Sequence, residues 1–245
     1  MITSISFVIL SLLYSLIITI VFFKKSHINS EEINIFKYLL ISNFVGLLLE
    51  VCCFFSISFL GDSFITTIVN KLFLIYFLIF IVLFSNYILY IALDQEKREK
   101  LKSLINKIDY GIIIIFSLLI MILPVKFSTG DHIYSYGPAV DLIYTIMSVF
   151  LVAIIILFIV RFKHIDKKKF IPCLVFVLGC GIVGIIQKYF PHITLSTPME
   201  MLVLMIMYFT IENPDVKMVE DMTVLKDQAE KANQAKSEFL SNMSH

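Results

Sequence analysis

Charge is scarce in this sequence. Asp, Glu, Lys and Arg together supply 16% of the residues and hydrophobic residues 59%, against averages of about 25% and about 45–50%. A chain so composed cannot cover its apolar residues in water, which excludes an ordinary soluble domain and makes the bilayer its main solvent. Glycine is equally thin, at 8 residues, and the apolar runs lack two-residue alternation, so a transmembrane β-barrel is excluded too. Cysteine is limited to Cys52, Cys53, Cys173 and Cys180. All four sit in apolar runs without metal-ligand spacing, so they are expected to be small buried hydrophobes and no metal site is expected. Tryptophan is absent, which leaves Tyr14, Tyr38, Tyr90, Tyr110 and Tyr189 to act as interfacial anchors. The first apolar run has neither a basic leader nor a small-residue cleavage site, so it reads as a retained span rather than a signal peptide. No internal repeat or low-complexity linker is visible.

What the sequence does have is seven apolar segments, near residues 2–23, 35–60, 64–93, 110–125, 139–160, 170–189 and 196–211. Each approaches the roughly 20 residues that cross ~30 Å of hydrocarbon, the last being the shortest. A backbone in lipid must satisfy its own hydrogen bonds, so these are predicted helices, and the fold class is an all-α polytopic membrane protein with seven spans. Gly61, Asp62 and Ser63 turn the second span back into the third. The net charge of +1 says little, but the placement of charge says more. Lys24 and Lys25 follow span one. Lys97, Arg98, Lys100, Lys102 and Lys107 lie between spans three and four, and Arg161, Lys163, Lys167, Lys168 and Lys169 between five and six. The opposite connections carry only Lys126 and Lys188. Basic loops stay in the cytoplasm, which predicts a multi-pass protein of the cytoplasmic membrane with its N-terminus outside and its C-terminus inside. An odd number of spans independently demands opposite sides for the two ends. The longest outer connection, around Ser128 to Pro138, is too short to fold as a separate domain. A stimulus must then be read by the membrane helices or their short outer loops.

Composition changes at Glu212-Asn213-Pro214-Asp215. Asn213 suits an N-cap, Pro214 the first helical position, and Asp215 the positive end of a helix dipole. Three parts follow: a membrane domain over 1–212, a signalling helix over 213–234, and a further segment over 235–245. Along the helix, Met218, Met222, Leu225, Ala229, Ala232, Lys236, Phe239 and Met243 recur in steps of four and three. This weak heptad seam predicts a parallel two-stranded coiled coil and hence a homodimer, the alternative being an amphipathic helix lying on the membrane.

The chain closes on Ala235-Lys236-Ser237-Glu238-Phe239-Leu240-Ser241-Asn242-Met243-Ser244-His245. This string resembles the H-box of histidine kinases, whose pattern is close to AKSEFLANMSHEIRTPL, and it does so at nearly every position from Lys231 onward. The resemblance implies that His245 sits on a dimeric four-helix bundle and accepts the γ-phosphoryl group of ATP, which then passes to an aspartate of a response regulator. ATP and Mg²⁺ are implied for a kinase domain that this sequence lacks. The chain is therefore expected to be truncated at His245, without a cofactor of its own and inactive alone. Apart from any resemblance, an imidazole with a pKa near ~6.5 offers an unprotonated nitrogen as nucleophile near neutrality. Phosphoryl transfer asks chiefly for in-line positioning and charge stabilisation. The membrane portion is similar, more loosely, to the seven-helix region at the N-terminus of many bacterial sensor kinases. The residues that carry this likeness are Tyr136-Gly137-Pro138, Thr197-Pro198, Tyr208 and Glu212-Asn213-Pro214-Asp215.

Five ionisable residues interrupt the spans: Glu50, Lys71, Asp141, Lys188 and Glu200. Such groups are costly in hydrocarbon and tend to face partners or a cavity. Glu50 and Lys71 lie about 18 and 13 Å from the turn at Asp62, so an ion pair across that hairpin is expected, with a snorkelling lysine as the alternative. Thr197-Pro198-Met199-Glu200 fits a capping box. The competing reading is an outward-facing ligand vestibule lined by Asp141, Lys188 and Glu200. Gly179, Gly181 and Gly184 are expected to let span six approach a neighbour or bend.

The function expected from these features is stimulus perception in the membrane and control of phosphorylation at His245, with lipid, a second copy and a response regulator as partners and no nucleic acid. The rivals are a transporter or channel, which needs a continuous polar path but no C-terminal helix, and a receptor without a kinase. Deleting the residues after Asn213 separates them, since transport survives and signalling does not.

Overall fold

The computed structural model describes residues 2–24, 30–130, 132–161, 167–211, 222–234 and 236. The chain is almost entirely helical: α1 (Ile2–Lys24), α2 (Glu31–Leu60), α3 (Phe64–Ala92), α4 (Gln95–Ile122), α5 (Pro138–Arg161), α6 (Lys167–Tyr189) and α7 (Ser196–Ile211). Residues 222–234 add α8. Between α4 and α5 lie two short strands, β1 (Lys126–Thr129) and β2 (Ile133–Tyr136). Two compact units emerge, residues 1–207 and 208–245.

Helices α1 to α6 are each long and apolar enough to cross a bilayer, which gives the chain the character of a membrane protein. Helix α7 has 16 residues and rises ~24 Å, short of a ~30 Å hydrocarbon core. The outer faces agree with a lipid solvent. Ile122, Ile159 and Val160 are 77%, 74% and 69% exposed, and α1 and α4 bury little of their length. An apolar face of this extent is stable in hydrocarbon, not in water.

Local sequence sets the helix ends. The Ser30 hydroxyl accepts from Ile33 N at 3.2 Å and so caps α2, and the Ser63 hydroxyl does the same for α3 through Thr66 N at 3.1 Å. Gly61 turns α2 into α3 at φ 54°, a conformation that Cβ-bearing residues resist. In the first unit α3 is the central helix, packing on α2, α4 and α5, while α1 leans on α2 and α6 on α5. Its Phe84 stacks on Phe176 of α6 at 3.7 Å, and Phe80, Phe84, Tyr87 and Phe176 are all fully buried. At one end of this unit the acidic first turn of α2 gathers basic side chains. Glu31 meets Arg98 at 3.5 Å and Lys102 at 2.8 Å, and Glu32 meets Lys169 at 2.6 Å. The basic segments that open α4 and α6 thus share that end.

Two expectations need correction, and one element was not foreseen. Residues 97–107 are not a loop before the fourth span, because α4 is continuous from Gln95. That stretch has no Gly or Pro, and it carries an i,i+4 pair, Glu96 to Lys100 at 2.6 Å, so it extends the apolar helix into a polar one. The connection between α4 and α5 is a hairpin, with Phe127 opposite Ser135 and Ser128 opposite Tyr134. Thr, Ile and Tyr around Gly130 favour that pairing. Cysteines Cys53 and Cys173 are buried as expected, but Cys52 points outward. In the second unit every described side chain of α8 is exposed, including Met222 and Leu225 of the predicted seam. Residues 212–221, with the proposed cap at Asn213, and His245 lie outside the described residues.

Candidate functional site: a polar cavity among the membrane helices

The site is built on contacts between α2, α3 and α7. Gly46 of α2 lies against the Tyr76 ring of α3, so closely that a Cβ there would overlap the ring. This approach brings the next polar residues together. The Tyr76 hydroxyl donates to Glu200 Oε2 of α7, and the Thr197 hydroxyl donates to Glu50 Oε2 of α2. The Asn43 amide donates to the Thr197 carbonyl at 3.4 Å and to the Tyr76 hydroxyl at 3.5 Å. All are buried: Asn43 and Thr197 fully, Glu200 to 1% exposure and Glu50 to 7%. The network is nevertheless incomplete, since Glu200 Oε1 and Asn43 Oδ1 have no hydrogen-bond partner.

Glu50 and Lys71 do not pair. Lys71 Nζ donates to the Met121 carbonyl at 2.6 Å, in the last turn of α4. Those carbonyls lack intrahelical partners and carry the negative end of the helix dipole, so they attract the ammonium away from α2. The capping box at Thr197 is absent as well. Helix α7 begins at Ser196, Met199 N bonds to the Leu195 carbonyl, and both the Thr197 hydroxyl and the Glu200 carboxylate turn to neighbouring helices. Side-chain hydrogen bonds across helices, unavailable to the isolated segment, displace the local cap.

Beside this network is a cavity of about 960 Å³. Its walls come from α1, α2, α3, α5, α6, α7 and the hairpin strand β2, and they are mainly apolar and aromatic, with Phe73, Phe77, Phe176 and Tyr144 among them. Four of the five ionisable residues singled out in the sequence line it: Glu50, Asp141, Lys188 and Glu200. Glu50 and Glu200 are buried, whereas Asp141 and Lys188 are exposed, so the acidic pair is deep and the mixed pair lies at the rim. Lys71 is not among the lining residues. The glycines of α6 divide their roles. Gly179 is packed on Met199 of α7, while Gly181 and Gly184 line the cavity and have open space where a Cβ would stand. Gln187 closes the α6–α7 connection, donating to the Ile193 carbonyl at 2.9 Å and accepting from the Ser196 hydroxyl. On the hairpin side, the His132 and His192 rings stack at 3.9 Å. Partial burial and the facing His132 hold the His192 imidazole below its ordinary pKa.

Sequence reasoning missed Asn43, Asn70, Tyr76 and Gln187. Asn70 and Gln187 also line the cavity. The asparagines and the glutamine carried a signal, since each is an amide inside an apolar run. Tyr76 carried none that set it apart from the other tyrosines. No protein-family profile matches the chain, and comparison with curated proteins finds no match.

Proposed function

We propose that this chain is the membrane sensor of a histidine kinase and that His245 is its phosphoacceptor. The observation that carries this reading is the run from Ala235 to His245, which reproduces the H-box almost residue for residue. In this reading α7 is a seventh span, its short length offset by a polar N-terminal turn enclosed by α2 and α3. The N-terminus is outside, and the end gathered by Glu31 and Glu32 faces the cytoplasm, as its cluster of basic residues favours. The protein dimerises along the seam through Met222, Leu225, Ala229 and Ala232, whose exposure in the single chain suits a helix partner. The cavity receives the stimulus. Occupancy biases two packings of α7 against α2 and α3, and the chain following α7 carries that bias to His245. Phosphate then passes to a response regulator aspartate.

The test is direct. The product of the complete reading frame, reconstituted in nanodiscs with Mg²⁺ and labelled ATP, should acquire acid-labile, base-stable phosphate. His245→Gln should abolish it. Label that persists in the variant would refute the assignment. The cavity also suits a transporter, so substrate flux that survives deletion of the residues after Asn213 would favour that reading instead.

A further inference from the structure

We infer that the cavity binds a small amphiphile with a protonated primary amine at one end and an apolar, preferably aromatic, body. The inference rests on the sensor reading above and names the chemistry of its stimulus.

Three observations lead there. The first is volume and lining. About 960 Å³ walled largely by aromatic and aliphatic side chains accommodates an apolar body of drug-like size. The second is the sign of the deep end. Glu50 and Glu200 both line the cavity, both are buried, and neither has a cationic partner among the described residues. Lys71, the only basic residue sharing that depth among the described residues, is held by the Met121 carbonyl of α4. Lys188 is exposed, at the rim, and forms no ion pair with either deep carboxyl. Buried carboxylates are stabilised by a paired cation, and the described residues supply none. The third is the unfilled acceptor. Glu200 Oε1 is buried without a hydrogen bond while Oε2 is engaged by Tyr76. An open acceptor calls for an N–H donor, which a primary ammonium has and a quaternary ammonium lacks. Among the described residues, no three His, Cys, Asp or Glu side chains converge as a metal-binding group, so an organic cation is the better fit. Phe73, Phe77 and Tyr144 can then cover the apolar body, and an ammonium among aromatic faces gains further attraction.

The probe is phenylbutylamine, compared with phenylbutanol and phenylbutyrate, which share the body and differ in the head group. The full chain in nanodiscs is titrated with each by ligand-observed NMR, with empty nanodiscs subtracted. Saturable binding of the amine is expected, with the alcohol and the carboxylate weaker by about tenfold or more, the scale of a charge-assisted hydrogen bond. Glu200→Gln should weaken the amine by about the same factor and leave the alcohol unchanged. Gly184→Leu places a side chain into open space on the lining and should abolish saturable binding of the amine. It keeps the test decisive if Glu200→Gln does not fold. Equal binding of amine and alcohol, tighter binding of the carboxylate, no saturable binding at all, or an amine indifferent to both variants would overturn the inference. The titration needs no ATP. Amine binding to a protein whose His245 takes up no phosphate would therefore sink the kinase reading and spare the site. Phosphorylation without amine binding would do the reverse.

Discussion

Replacing Gly46 with alanine tests the packing on which the polar site depends. A Cβ at this position overlaps the Tyr76 ring, and the ring cannot yield easily because its hydroxyl is tied to Glu200 and its faces meet Phe73 and Phe77. Overpacking of a tight core is destabilising by about 1–3 kcal/mol. If Tyr76 swings aside, the buried Glu200 carboxyl loses its donor, a further ~1–3 kcal/mol. Against this, alanine in a helix interior gains roughly 0.5–1 kcal/mol over glycine. The net is a loss on the order of 1–5 kcal/mol, equivalent to a fall in Tm of at least about 2 °C for a chain of this size. A thiol-reactive dye provides the readout in a background with Cys52 and Cys180 replaced by serine, since Cys53 and Cys173 are buried until the bundle opens. The decisive measurement is the same substitution in a Tyr76→Val background. With the ring gone, Gly46→Ala should become neutral or stabilising, by up to about 4 °C. An equal loss in both backgrounds would show that Tyr76 is not what the glycine accommodates, and the proposed α2–α3 approach would be wrong.

Other substitutions probe the remaining contacts. Thr197→Val keeps the shape of the side chain and strips Glu50 of its donor, so a loss of about 1–3 kcal/mol is expected in thermal unfolding; an unchanged Tm would remove the α2–α7 bond from the account. Because Lys71 caps α4 rather than pairing with Glu50, the swap Glu50→Lys with Lys71→Glu should be no more stable than the sum of its single variants, and recovery in the double variant would restore the discarded ion pair. The His132–His192 stack should show a pH dependence. The folded-state pKa of His192 is lowered, so protonation opposes the stacked arrangement: the contact is unaffected above the unfolded histidine value and weakens as pH falls through it toward the folded value. NMR titration should find His192 below an ordinary histidine, and His132→Ala should raise it, whereas no movement in the variant would detach the shift from the stacking.

The apolar helices were legible because a single term dominates them. Hydrocarbon selects apolar runs of a given length, so the ends of α1, α3 and α5 lie within a residue or two of their predicted positions, and those of the shorter α7 do so as well. Helix α4 broke from prediction for the same reason. Hydropathy sees only the part of a helix in lipid, while the Glu96–Lys100 pair and good helix formers continue the backbone hydrogen bonding into water. The hairpin left a fainter trace, four residues on either side of a short turn, easily read as an unstructured connection.

The site divides in a similar way. That Glu50 and Glu200 are buried against one cavity is a consequence of lipid rejecting charge, because an ionisable side chain inside a span has few places to go except inward. Which groups they bond to is a question of helix rotation, and no property of a single segment reports it. Glu50 and Lys71 are close along the α2–α3 hairpin, yet a turn of each helix about its axis points one at α7 and the other at α4. The same rotation turns Thr197 and Glu200 from a plausible local cap into bonds with α2 and α3. Tyr76 acquires its role only because Gly46 stands opposite, a relation between two helices that neither residue announces alone. Charge in a span therefore foretells that a polar interior exists, and small residues foretell where helices come close. The pairing between them is decided by the packed bundle, which is why the unfilled Glu200 oxygen, the feature that gives the cavity its chemical preference, was beyond the reach of the sequence.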